Sequence, residues 1–71
     1  MTLRELRLKT KKTVTEVATE LSKSSTAVYQ YEQGVRRLAL EDILILAKLY
    51  GCTAEEVIKA QLVSIHIGQP D

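Results

Sequence analysis

Residues 13–34 restrict the fold more than any other part of the chain, because they carry two short helical patterns separated by only a few polar residues. Thr13 is placed to cap a helix, and Glu16, three residues on, completes a capping box. Val14, Val17, Ala18 and Leu21 then recur at i, i+3, i+4 and i+7, a single apolar stripe. Ser22, Lys23 and Ser24 interrupt it. Ser24 caps a second helix that buries Val28 and Tyr31, and Gly34 ends it.

Two helices joined by a three- or four-residue turn have the geometry that seats the second in a DNA major groove. At about 100° per residue, Ala27, Val28 and Tyr31 cover one arc, and Ser25, Thr26, Tyr29, Gln30 and Gln33 the opposite one. The outer arc is capable of hydrogen bonding and uncharged. Gln pairs bidentately with adenine, and Ser or Thr bonds either kind of base edge. Any solvated helix also shows a polar face. The helix before this one and the basic residues around it favour contact with bases.

At 71 residues the chain is one domain, near the lower limit for a single apolar core. Cys52 is the one cysteine, so no internal disulfide helps, and a lone thiol suits a reducing interior. No apolar run has membrane-span length and no leader pattern opens the chain, so the expected location is the cytoplasm, away from membranes. Net charge is +1, unevenly placed. Residues 1–37 hold eight Lys/Arg against four Glu, and residues 38–71 hold two Lys against five acids. The basic half suits a polyanion, and the acidic half faces something else.

Helix 1 is expected over about residues 3–11, with Thr2 and Glu5 as its capping box, Leu3 and Leu6 inside and Leu8 exposed. A loop with Arg36 and Arg37 leads to helix 4, over about residues 40–50. Leu40, Ile43, Leu44, Ala47 and Tyr50 form its expected core stripe, with Gly51 as its stop. Helix 5 opens at Thr53, with Glu56 completing a third box and Val57 and Ile58 facing inward. From Val63 to Ile67 the pattern alternates apolar and polar, which favours a short strand ended by Gly68 and Pro70. Continuation of helix 5 is the alternative. The division is a domain over 1–62 and a tail over 63–71, serving as edge strand or interface.

With these helices placed, the chain resembles the Cro/CI-type helix-turn-helix family of phage and bacterial regulators, over roughly residues 3–58. Leu3-Arg4-Glu5-Leu6-Arg7 resembles its first helix, residues 13–21 its second, and residues 24–34, ending Glu32-Gln33-Gly34, its recognition helix. Residues 40–51 and 53–57 resemble its fourth and fifth. Val14, Lys12 and Lys23 depart from the family pattern, as does a recognition helix without Arg or Lys. The resemblance implies an all-α, compact five-helix, lambda-repressor-like domain that binds operator DNA, usually as a dimer, in a bacterial host cell. It places Ser25, Thr26, Tyr29 and Gln30 at base contacts and Ser24 at a phosphate.

Two functions follow as expectations. In the first, a Cro-like regulator reads operator bases with helix 3, while Lys11, Lys12, Thr13, Lys23, Ser24, Arg36 and Arg37 meet phosphates. In the second, an antirepressor pairs with a cognate phage repressor through apolar surface at Ile45, Leu46 and Leu49 on helix 4 and Val63, Ile65 and Ile67 on the tail. A homodimer joined by the tail strand fits either. Catalysis is not expected: one Cys and one His form no nucleophile–base pattern, and metal-ligand spacing and cofactor motifs are absent.

Overall fold

The computed structural model describes the backbone of residues 1–68 and the side chains of residues 1–66. The chain forms α1 (Leu3–Lys9), α2 (Val14–Leu21), α3 (Ser25–Glu32), α4 (Leu40–Tyr50) and α5 (Ala54–Gly68). Local chemistry sets their starts. At α1 and α2 both bonds of the capping box form: Thr2 Oγ1 accepts the Glu5 N–H at 3.1 Å, and Thr13 Oγ1 the Glu16 N–H at 3.1 Å. Ser24 Oγ caps α3 through the Ala27 N–H, and Thr53 Oγ1 accepts the Glu56 N–H ahead of α5. Only α4 follows a residue, Ala39, without a capping side chain. There Glu41 and Asp42 set negative charge against the positive end of the helix instead.

One device ends α1 through α4. The residue after the last turn adopts the left-handed conformation, at Lys11, Ser22, Gly34 and Gly51. Its N–H and the next one turn back to two carbonyls of the helix. Lys12 N–H bonds Arg7 O, Lys23 N–H bonds Ala18 O, Val35 N–H bonds Gln30 O and Cys52 N–H bonds Ala47 O, at 2.9 to 3.1 Å. Glycine takes this conformation freely, whereas a Cβ costs about 1–2 kcal/mol there. Ser22→Gly should therefore raise stability by about 0.5–1 kcal/mol, the gain reduced by the looser unfolded chain. Urea unfolding midpoints measure it, and an unchanged or lower midpoint contradicts the capping account.

The helices enclose one core in which Leu3, Val17, Val28 and Val57 are almost wholly buried. α2 packs on α3 and α4, and α5 runs back along α4 and also supports α1 and α3. No strand occurs among the described residues.

Several expectations need correction. On α4, Ile43, Ala47 and Tyr50 are buried as expected, but with Asp42 and Leu46, while Leu40 and Leu44 are 68 % and 54 % exposed. Apolar residues nearly encircle this helix, so periodicity leaves its rotation open. Packing between α2 and α5 decides it. Leu46, only 3 % exposed, is core and unavailable to a partner.

The expected strand over 63–67 is instead the last part of α5, which runs unbroken through residues 62 and 63. Val57, Ala60, Gln61 and Ser64 recur at i, i+3, i+4 and i+7, and all four are buried. The stripe continues; its last two members are polar and bonded. Gln61 Oε1 accepts the Leu38 N–H at 2.6 Å, and Ser64 Oγ accepts the Leu3 N–H at 3.0 Å while donating to Ala60 O at 2.9 Å. Val63 and Ile65, two residues apart on a helix, point to opposite flanks rather than sharing a face. Ile67 lies outside the described side chains, and Pro70 outside the described residues. Ile58, expected inside, is 39 % exposed.

Candidate nucleic-acid interface

The turn between α2 and α3 occupies Ser22 to Ser24, with Ser22 left-handed and Ser24 extended. It sets α3 against α2 through Ala27, Val28 and Tyr31, all buried. Ser25, Thr26 and Tyr29 are left exposed, and Gln30 half-buried beside them. Tyr29 is 50 % exposed, whereas Tyr31 and Tyr50 are buried. Burial also pushes the Tyr50 phenol far above its ordinary range, with the nearby Glu32 carboxylate adding to the shift.

The charge on α3 is disposed of in a way the sequence reading missed. Glu32 is the one ionisable carboxylate of the helix, and it turns inward. Arg7 Nε donates to Glu32 Oε2 at 2.6 Å, a second guanidinium nitrogen reaches Glu32 Oε1 at 3.1 Å, and a third donates to Lys12 O at 3.2 Å. Both side chains are less than a tenth exposed. The carboxylate beside Arg7 holds the guanidinium pKa above its ordinary value. Bidentate geometry and a third acceptor satisfy this buried cation. The signal was present in the sequence: Arg7 follows Leu3 by four residues and Leu6 by one, so it lies on the inner stripe of α1.

This pair has two effects on the surface. It removes the acid of α3 from the side that would face phosphates, and it ties the loop carrying Lys11 and Lys12 to the end of α3. Lys11, Lys23, Arg36 and Arg37 are exposed, and Lys12 is half-buried. The Arg36 guanidinium stacks over the Tyr31 ring at 5.5 Å from its centroid, so α3 and the following loop share a contact. The hydroxyls of Thr13 and Ser24 are occupied as helix caps. Any anion there would meet backbone N–H groups rather than the side chains.

Lys12 also borders a shallow depression between α2 and α4 with Thr15, Thr19 and Leu49. A neighbouring depression of about 450 Å³ is lined by Glu20, Ile45, Lys48 and Leu49. Ile45 and Leu49 are thus half-buried between the two helices rather than projecting from a free face. Exposed apolar surface lies elsewhere. Leu40 and Leu44 lie one turn apart on α4, and Ile58 and Leu62 one turn apart on α5.

Among the described residues no group of three or more His, Cys, Asp or Glu could hold a metal ion. Burial raises the Cys52 thiol pKa, with Glu56 adding to the shift, which disfavours the nucleophilic thiolate. No helix among the described residues is long and apolar enough to cross a membrane.

No curated protein and no solved structure matches the chain. A family profile described as a helix-turn-helix domain matches residues 1–58, from the start of the chain into the first turns of α5. That match spans the buried Arg7–Glu32 pair, the α2–α3 turn and the exposed face of α3. The match covers more than half of the chain, which therefore belongs to the helix-turn-helix domain family.

Proposed function

We propose that this chain is a Cro-like transcriptional regulator of the kind that operates in phage genetic switches, reading operator DNA with α3. The observation that carries the proposal is a neutral, exposed face of Ser25, Thr26 and Tyr29, with Gln30 beside it and its one acid withdrawn to Arg7. In this reading Gln30 pairs with adenine, Ser25, Thr26 and Tyr29 touch neighbouring base edges, and Lys11, Lys12, Lys23, Arg36 and Arg37 neutralise phosphates. Backbone N–H groups beside Thr13 and Ser24 meet phosphates at the starts of α2 and α3.

A second copy is part of the proposal. The exposed Leu40 and Leu44 on α4, with Ile58 and Leu62 on α5, supply apolar surface for a symmetric partner that reads the other half-site. The same surface supports the antirepressor reading, in which a cognate repressor takes the place of that copy.

Gel shifts on operators recovered from random duplexes separate the two. A specific shift by the chain alone is expected, and loss of a repressor's shift without any of its own favours the antirepressor. With about four phosphates engaged, log affinity should fall against log salt with a slope of roughly −3 to −4. Gln30→Ala should weaken binding to the selected operator by about 1–3 kcal/mol and binding to random DNA much less. A flat salt response, or equal losses on both DNAs, contradicts base reading by Gln30.

A further inference from the structure

Beyond the residues matched by the family profile, α5 makes contacts of a particular kind. The loop that carries Arg36 and Arg37 is held at three places. At its start, the Val35 and Arg36 N–H groups both bond Gln30 O, at 3.0 and 3.3 Å. At its side, Gly34 lies against the α5 backbone so closely that an added Cβ would be 2.4 Å from Ser64 O and 2.6 Å from Ile65 Cα. At its end, the Leu38 N–H is bonded to Gln61 Oε1.

Gln61 is 6 % exposed, on a stripe where an apolar side chain would fill the space without a buried amide. Burying that amide is unfavourable unless it is bonded, and here its oxygen meets a backbone N–H outside any helix. The loop's two arginines are exposed, yet the backbone that carries them is fixed from within.

We propose that the second half of α5 is a positioning element for DNA-backbone contacts, with Gln61 holding the 34–38 loop so that Arg36 and Arg37 are presented together to phosphates. This rests on the operator-binding reading above. Gln61 touches no DNA; it acts through the two arginines. A loop already fixed in place loses less conformational freedom on binding, and that difference appears as affinity.

The experiment is a double-mutant cycle on the full chain, with anisotropy of a labelled duplex of about 20 bp measured over a range of salt. Gln61→Met keeps the side-chain volume and removes the acceptor. It should weaken binding about 3–10-fold and flatten the log–log salt slope by about one unit. In a background carrying Arg36→Ala and Arg37→Ala, the same substitution should change affinity less than about twofold.

Equal losses in both backgrounds would show Gln61 acting through general stability, and no loss in the native background would show it not acting at all. Either result overturns the proposal. A native chain that binds no duplex sinks the operator reading itself, and this inference with it. Amide exchange in the free protein supplies a second measurement. Gln61→Met should speed exchange at the bonded amides of Leu38, Val35 and Arg36 about tenfold, with α2 unchanged. An equal rise across all helices overturns the positioning role.

Discussion

Replacing Gly34 by alanine is expected to remove a large share of the chain's stability, about 2–5 kcal/mol, and to lower its melting temperature by more than about ten degrees. Gly34 has φ +78°, a conformation that costs a residue with a Cβ about 1–2 kcal/mol. The new methyl would also be 2.4 Å from Ser64 O, 2.6 Å from Ile65 Cα and 2.9 Å from Ile65 N. These are backbone atoms of α5, which cannot move aside as the end of a flexible side chain can. Overpacking of this kind adds about 1–3 kcal/mol, for a total of about 2–5. A chain of this length has about 4–11 kcal/mol of stability in all. Thermal unfolding followed by circular dichroism checks the result. A melting temperature within a few degrees of the native one would mean that α5 does not lie against this loop. Gly51→Ala is a useful comparison, because Gly51 shares the left-handed conformation (φ +66°) but no atom lies within 4 Å of its added Cβ.

Arg7→Met alone should lower stability by about 3–5 kcal/mol. The loss comes from what remains: a buried Glu32 carboxylate without its cation, and a Lys12 carbonyl without its donor. Adding Glu32→Leu should recover most of that loss, since an apolar pair of similar volume is often as stable as the ion pair it replaces. Urea unfolding of the native chain, both single variants and the double variant gives the coupling energy directly. Additive losses would mean that the two side chains do not depend on each other. Recovery in the double variant would also show that the pair is not needed for stability as such. Its remaining role would be to hold the end of α3 and the Lys12 backbone in one fixed relation.

These two sites mark where sequence reading succeeded and where it did not. Thr2 with Glu5, Thr13 with Glu16, and Ser24 ahead of Ala27 are local signals, complete within four residues, and each one starts a helix where expected. The outward turn of Ser25, Thr26 and Tyr29 follows from periodicity once α3 is placed. Arg7 and Glu32 are twenty-five residues apart, and although the inner stripe of α1 turns Arg7 inward, nothing local marks Glu32 as its partner until α1 and α3 are brought together. The second half of α5 misled for a related reason. Gln61 and Ser64 interrupt the apolar pattern because their partners, Leu38 and Leu3, are backbone amides from distant parts of the chain. A hydrophobic count registers such positions as the end of a helix, when they are its most connected part. On α4 the difficulty was the opposite one: an excess of apolar residues left Leu40 and Leu44 indistinguishable from the core.

The bond between Leu3 and Ser64 joins residues sixty-one positions apart, which bears on how the molecule is made. Synthesis proceeds from the amino end, so the donor leaves the ribosome long before its acceptor exists. Until Ser64 emerges, α1 can rest only on α3, through Arg7 and Glu32, and the side of α1 that meets α5 stays uncovered. The last turns of α5 act as a clasp that joins the two ends of the described chain.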